Sequence, residues 1–361
     1  MRETRPEHRL RKDHSNMMGR VTAFPDQLRA AMRAAQQGPE LVHGSKPSHI
    51  YVVGMGGSAI GGDFLRAFAQ DRCLIPIEVI RGYDLPAAAG ETAFAFFVSY
   101  SGNTEETLSA WHEAARRGMR RACVTSGGEL RELAERAGVP VFDLPAGSPP
   151  RAALGWTSVP VFHALARVGW LAFTGAELED AARASAAAID AYGPDAEPTN
   201  ALRVWAERAA GRLPVVYTAA HPFAPAALRW VCQFNENSKS LAHAAYFPEQ
   251  NHNEVVAWEA ASDVLARAEV AFLVDDAIEP RVKRRLEAVE AMIVRAAHRV
   301  ARFRPFGEGV LAKLYSFATM GDLASVYLAD AVGVDPTPVA SIDRLKAELA
   351  GHGSGTTDSV P

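Results

Sequence analysis

Short apolar runs separated by helical segments recur through two long stretches of this chain, and that alternation admits few architectures. In the first half, His49 to Val53, Ile75 to Ile80, Phe94 to Val98, Arg121 to Thr125 and Val139 to Leu144 read as strands. Helices are expected at Ser58 to Gln70, after Asn103 through Trp111 and Ala115, and at Leu130 to Ala137. From Leu213 the pattern resumes, with strands at Pro214 to Thr218, Ala271 to Val274 and Val300 to Phe303, and helices at Pro225 to Glu236, Arg281 to Ala297 and Leu311 to Ala329. Strands that are apolar along their whole length are buried on both faces, which calls for a mainly parallel sheet flanked by helices. The expected fold class is α/β, in two similar doubly wound halves.

The turn-dense run Pro145-Ala146-Gly147-Ser148-Pro149-Pro150 marks the exit from the first half. The expected organisation is an N-terminal extension and helix in 1–40, a first α/β domain in 41–155, a helical linker in 156–205 containing the Ala-rich run Glu177 to Tyr192, a second domain in 206–350, and a polar, disordered tail in 351–361. With 361 residues, 48% of them hydrophobic, there is material for two cores. A net charge of −4 offers no basic field, so neither nucleic acid nor an anionic membrane is the expected partner. Met1 to Asn16 is charged and lacks an apolar stretch, so no signal peptide or membrane span is expected there. Cys73, Cys123 and Cys232 show no CxxC or Cys/His spacing, which fits reduced thiols in a cytoplasmic protein.

Two loops carry the chemistry of the first half. Ser99-Tyr100-Ser101-Gly102-Asn103-Thr104-Glu105-Glu106-Thr107 follows a buried strand and opens a helix. The hydroxyls of Ser99, Ser101 and Thr104, one glycine, and Asn103 with Glu106 as a capping pair would set donors beside the free N–H groups of a helix start, a site for phosphate. The second loop, Gly54-Met55-Gly56-Gly57-Ser58-Ala59-Ile60-Gly61-Gly62-Asp63, follows the first strand. Gly56 and Gly57 permit close backbone approach to an anion, and Ser58 adds a hydroxyl. The same glycines match the G-x-G-x-x-A dinucleotide fingerprint, which also asks for an acidic residue closing the next strand. That strand ends Ile80-Arg81-Gly82, with Glu78 mid-strand, so a dinucleotide stands behind a phosphosugar as the reading of this loop.

Gly54 to Asp63 together with Ser99 to Thr107 resemble the two loops of sugar isomerase (SIS) domains. The later runs Asn235-Glu236-Asn237-Ser238-Lys239 and Phe247-Pro248-Glu249-Gln250-Asn251-His252-Asn253-Glu254 resemble the bifunctional phosphoglucose/phosphomannose isomerases, as do Gly321-Asp322 through Ser325-Val326-Tyr327-Leu328-Ala329 and Asp335-Pro336. The likeness extends over roughly residues 45 to 347. It implies two SIS domains, a homodimer with the active site between domains and subunits, a phosphosugar substrate, no cofactor, and interconversion of glucose 6-phosphate, and of mannose 6-phosphate, with fructose 6-phosphate.

Aldose–ketose isomerisation moves a proton between C1 and C2 through an enediol and needs one carboxylate over those carbons. Glu236 is the candidate; read as a residue alone, it could instead pair with Lys239 on an exposed helix face. By resemblance His252 opens the sugar ring from the neighbouring subunit, in a segment expected to begin an apolar helix, whereas His243 reads as a structural group. Arg151 resembles the arginine that stabilises the enediolate, and Lys313 the lysine near the ring oxygen. Ser58, Ser99, Ser101 and Thr104 would hold the sugar phosphate and so fix C1 and C2 against Glu236. Phe306, seven residues before Lys313, stands where the resemblance leads one to expect a polar residue, and its bulk could restrict rotation about C2–C3. His221, His243 and His252 lack metal-ligand spacing, so no metal is expected. The reading from another class is a non-catalytic, phosphosugar-binding regulatory SIS protein, although residues 1 to 45 contain no convincing helix-turn-helix.

Overall fold

The computed structural model describes residues 10–41, 45–260, 262–295 and 299–352. The N-terminal helices α1 (Met17–Thr22) and α2 (Phe24–Gln37) precede a five-stranded parallel sheet of β1 (Ile50–Val53), β2 (Ile77–Ile80), β3 (Phe94–Val98), β4 (Arg120–Thr125) and β5 (Val141–Asp143) in the order β2-β1-β3-β4-β5. Helices α3 (Gly56–Ala69), α4 (Glu105–Arg116) and α5 (Gly128–Arg136) connect it. Three helices follow, α6 (Leu154–Arg167), α7 (Gly175–Tyr192) and α8 (Ala201–Arg208). The second sheet, also parallel, orders β6 (Leu213–Ala219), β7 (His243–Phe247), β8 (Ala268–Leu273) and β9 (Val300–Phe303) as β7-β6-β8-β9. Its helices are α9 (Ala224–Ser238), the short α10 (Asp263–Ala266), α11 (Pro280–Arg295) and α12 (Val310–Val332), and α13 (Ala340–His352) ends the described chain. The expected α/β class with two mainly parallel sheets is the observed one.

The segment expected as a linker is a packed layer shared by the two halves. One continuous core runs from Met17 through Phe64, Phe162, Leu178 and Trp205 to Phe234 and Leu328, so α6, α7 and α8 cover both sheets from inside. Smaller cores close the outer faces, one around Phe97 and Trp111 and one around Tyr217 and Phe272. Helix α12 is the axis of this layer: from Leu311 to Ala329 every residue except Lys313 is buried, as expected of a helix that is apolar all round. Its Gly321 is required by a close approach, since a Cβ there would fall 2.2 Å from the Trp230 ring.

Three sequence expectations differ from the structure in instructive ways. The edge strand β7 escaped the sequence reading because only Phe247 is fully buried along it; His243 is exposed and the three residues between are half-buried, so no apolar run marks it. Helix α4 begins at Glu105 with Thr104 as N-cap and no side-chain cap; Asn103 Oδ1 instead accepts from the Glu129 N–H of α5 at 2.9 Å, so the expected capping pair with Glu106 does not form. Residues 351 and 352, expected to start a disordered tail, end α13, and 353–361 lie outside the described residues, as do 1–9. Among the described residues no helix is long and apolar enough to cross a membrane.

Candidate active site

In the first sheet the strand order reverses direction between β1 and β3, and open α/β sheets bind ligands in the crevice such a switch leaves at the strands' carboxyl ends. The two loops singled out in the sequence meet there. Ser58 Oγ accepts the Tyr100 N–H at 3.2 Å, Ser99 Oγ lies 2.9 Å from Thr104 Oγ1 and accepts the Gly102 N–H at 3.1 Å, and Ser101 Oγ accepts the Asn103 N–H at 3.3 Å. Ser58 and Ser99 are buried, whereas Ser101 opens to solvent. Neither α3 nor α4 has a side-chain cap, so two helix starts direct N–H groups at this crevice. Gly102 turns the loop at φ +71°, and a Cβ on it would fall 1.7 Å from the Gly127 carbonyl oxygen.

Glu236 comes from the last turn of α9 and Arg151 from the 3₁₀ turn Pro150–Ala152. Their side chains meet, with Arg151 Nη1 3.4 Å from Glu236 Oε2. The side chain is 4% exposed, and two of its nitrogens are engaged elsewhere: Nε donates to Asn237 Oδ1 at 2.6 Å, and Nη2 to the Pro336 and Thr337 carbonyls at 2.7 Å each, which leaves Nη1 toward Glu236. Lys239, the alternative partner for Glu236, bonds backbone instead. Its Nζ donates to the carbonyls of Glu236 at 3.0 Å and Asp335 at 2.8 Å, while its own backbone closes α9 in a left-handed turn at φ 52°. The Glu236 carboxylate is thereby left to Arg151.

A cavity of about 100 Å³ joins these groups, with Gly56 and Gly57 on one wall and Arg151 and Glu236 on the other. Gly57 lets the two backbones approach, because a Cβ on it would sit 2.9 Å from the backbone nitrogen of Arg151 and from the Pro150 carbonyl. A ligand pocket normally holds roughly 300 Å³ or more. The volume is that of the reacting end of a hexose, and Ser58, Ser99, Ser101 and Thr104 are not among the residues lining it.

The same cavity exposes residues that sequence reasoning passed over: Arg81, Arg229, Cys232 and Gln233. Arg81 closes β2 and pairs with the buried Asp63 of α3, so a cation stands where a dinucleotide fold would place its ribose-binding acid. Arg229 Nε and Nη2 bond the two oxygens of Asp322 at 2.9 and 2.7 Å, and Gln233 Nε2 joins at 2.7 Å. Positions 229, 233 and 236 lie on one face of α9 at helical spacing, but Asn235, Asn237 and Ser238 make the end of the helix polar on its other faces too, so no stripe singles them out in sequence.

Lys313 is not brought to this cleft. It pairs with Asp275 at 2.8 Å and lines a separate cavity of about 470 Å³ at the carboxyl end of the second sheet, with His221, Phe247 and Glu279. Phe306 lines neither cavity; its ring packs 6.2 Å from that of Tyr192, and its N–H donates to Ser316 Oγ.

His252 ends the 3₁₀ turn Glu249–His252 and is exposed. The expected apolar helix after it is a second 3₁₀ segment, Glu254–Glu259, because Asn253, at φ −148° and ψ −73°, breaks the helical backbone between the two and its side chain caps the Glu254 N–H. Glu254 anchors this turn to the sheet. It accepts from the Tyr217 hydroxyl, which in turn accepts from Trp258 Nε1 at 3.0 Å, and it faces His243 Nε2 at 2.8 Å. The hydrogen bond with Glu254 raises the His243 pKa above its ordinary 6.5, against burial. Burial pushes Glu254 up, but the bonds from His243 and Tyr217 prevail and leave it below its ordinary 4.5. The stabilisation due to His243 is complete below pH 6.5 and is lost as pH rises through its folded value; that due to Glu254 is complete above pH 4.5 and is lost as pH falls through its folded value. The stability difference between wild type and His243→Gln should therefore be greatest between about pH 5 and 6 and shrink toward pH 8, a comparison that thermal melts across this range make directly. A difference that grew toward pH 8 would mean that the pair is not the anchor.

Among the described residues no group of three or more His, Cys, Asp or Glu side chains could hold a metal ion. Residues 199–349 match the family model for the bacterial phospho-glucose isomerase C-terminal SIS domain. The chain is 34% identical to the bifunctional phosphoglucose/phosphomannose isomerase of Caldicellulosiruptor bescii over 92% of its own length and 99% of the relative's. It is 34% identical to the protein of the same name from Aquifex aeolicus, over 84% and 91%. Among solved structures, a hypothetical protein from Thermus thermophilus matches with a TM-score of 0.75 at 16% identity, covering 95% of this chain and 92% of that one. The C-terminal domain of glucosamine-fructose-6-phosphate aminotransferase from Francisella tularensis matches with a TM-score of 0.69 at 14% identity, covering 89% and 96%.

Proposed function

The chain belongs to the bifunctional phosphoglucose/phosphomannose isomerase family, and on that footing we propose that it interconverts glucose 6-phosphate and mannose 6-phosphate with fructose 6-phosphate through a shared enediol. The observation that carries this reading is the pairing of a carboxylate with a buried guanidinium, Glu236 with Arg151 at 3.4 Å, across a cavity from the glycines of an anion-binding loop. The Ser58, Ser99, Ser101 and Thr104 hydroxyls and the two helix starts bind the phosphate. That fixed end sets C1 and C2 over Glu236, which carries the proton from one carbon to the other, while Arg151 stabilises the charge that develops on the enediolate oxygens. A purely regulatory phosphosugar-binding protein would need the hydroxyl loop but not the Glu236–Arg151 pair. Acceptance of both C2 epimers is supported by the relatives, which are named for both isomerase activities.

The direct test is to incubate the purified protein with fructose 6-phosphate, without added cofactor, and follow products by NMR. Formation of both glucose and mannose 6-phosphates is expected, and no conversion would overturn the reading.

His252, exposed on its turn and outside the cleft of its own chain, fits a ring-opening acid–base group that acts in a neighbouring subunit. A second copy is also favoured by α13, whose Ile342, Leu345 and Leu349 are 41%, 55% and 51% exposed on one face beside the Pro336–Thr337 segment held by Arg151. Mixing inactive Glu236→Gln protein with inactive His252→Ala protein, under conditions that let subunits exchange, should restore roughly a quarter to a half of wild-type activity. Failure to restore any would place both residues in one chain's site.

A further inference from the structure

We propose that Asp322 and Arg229 act as positioning residues for Arg151, setting its guanidinium against Glu236. This inference rests on the reading of Glu236 and Arg151 as the reacting pair. Three contacts form the link. Asp322 of α12 holds the Arg229 guanidinium through both carboxylate oxygens, with side chains 5% and 3% exposed. Arg229 Nη2 donates at 2.8 Å to the backbone carbonyl of Arg151 itself. From that backbone the Arg151 side chain reaches Glu236, which returns the path to α9, the helix that supplies Arg229.

The ion pair is the charged member of a mixed interface. Around it α9 and α12 bury apolar side chains, among them Trp230, Phe234, Phe317 and Leu323, and further along only neutral polar groups meet, Asn237 Nδ2 donating to Ser325 Oγ at 2.9 Å and Ser238 Oγ to the Ser325 carbonyl at 2.7 Å. A buried ion pair in such an interface is no better for stability than apolar residues of similar volume, and often worse, because both charges must leave water. Burial raises the Asp322 pKa, and the bonds from Arg229 and Gln233 oppose that shift. A group retained at this cost, one bond away from the Arg151 backbone, is accounted for by what it holds. Arg229 also lines the cavity seven residues from Glu236 on the same helix. Clamped by Asp322, it is kept from competing with Arg151 for the Glu236 carboxylate.

Two variants of the full chain test the link. Arg229→Lys keeps a cation for Asp322 but lacks the second N–H fork that reaches the Arg151 carbonyl. It should lower kcat for fructose 6-phosphate at least tenfold, with KM within about threefold of wild type and a nearly unchanged melting temperature. The double variant Asp322→Leu with Arg229→Met replaces the pair by apolar side chains; because Gln233 Nε2 and the Arg151 carbonyl lose these partners it should stay folded but melt several degrees below wild type, and it should lose at least thirtyfold in kcat. Asp322→Glu, which keeps the charge, should recover more of kcat than Asp322→Asn. A folded Arg229→Lys protein with wild-type kcat would overturn the proposal, as would a folded double variant with wild-type kcat. Glu236→Gln, run in the same assay, separates the two levels: if it stays active the reading of the reacting pair has failed, whereas an inactive Glu236→Gln beside fully active Arg229 variants removes only the positioning role.

Discussion

Glu236→Gln should lower kcat for fructose 6-phosphate isomerisation by about a thousandfold, within the range that loss of a positioned general base produces. KM should change by no more than a factor of a few, because the phosphate end of the substrate is held by hydroxyls and helix starts that the substitution does not touch. The amide is close to isosteric, and the Lys239 and Asn237 contacts that shape the end of α9 involve backbone and neighbouring side chains rather than the Glu236 carboxylate. Circular dichroism and the melting temperature should therefore match wild type. Deuterium supplies a second readout, since wild-type enzyme in D₂O should introduce label at C1 or C2 as the proton is exchanged from the base, and the variant should do so only in proportion to its residual turnover. If the variant isomerised at the wild-type rate, another group would have to be the base, and Glu236 would be reduced to a partner of Arg151.

Which features could be read in advance follows from where their determinants lie. The strand β3 is buried at every position from Phe94 to Val98 and is followed at once by its hydroxyl loop, so apolar run, turn and helix start are all local and this strand–loop–helix unit is legible without tertiary knowledge. Glu236 stands out only through the resemblance of Asn235 to Lys239, since the residue alone is compatible with pairing to Lys239, and the fold brings it against Arg151. Arg81 and Arg229 do not stand out, since each is an ordinary cation in sequence and gains its meaning from a buried acid 18 or 93 residues away. The helices α6 to α8 read as a connection because their burial depends on two sheets that they contact together. Lys313 shows what spacing leaves open: a lysine near the start of a long helix satisfies the resemblance in sequence, and the fold pairs it with Asp275 at the other end of the second sheet, outside the cleft of its own chain. Spacing along a chain does not determine which crevice a side chain enters.

Arg151→Ala should damage both activity and stability, and the two losses can be told apart. The side chain satisfies Asn237 Oδ1 and the carbonyls of Pro336 and Thr337 at 2.6 to 2.7 Å in a site where it is 4% exposed. Removing one member of a buried, hydrogen-bonded charge network leaves its partners unpaired, at a cost of about 3 kcal/mol or more. The melting temperature should fall by several degrees, and the segment leading into α13 should exchange its amides faster, because Asp335 and Pro336 are then held by Lys239 alone. On the chemical side, loss of one preorganised donor to a developing oxyanion costs about 10²- to 10³-fold in kcat. Added guanidinium ion separates the roles. It should restore part of kcat to Arg151→Ala, because a small cation can enter the space beside Glu236, but it should not restore the melting temperature, because a free ion cannot tether the backbone at residue 151 to the carbonyls at 336 and 337. Arg151→Lys retains charge without the planar fork, so it should keep more activity than alanine while still failing to hold both carbonyls. If Arg151→Ala melted early but turned over at the wild-type rate while folded, the guanidinium would be a brace between the two halves of the chain, and the charge on the enediolate would have to be met by another cation in the cavity wall, Arg81 or Arg229.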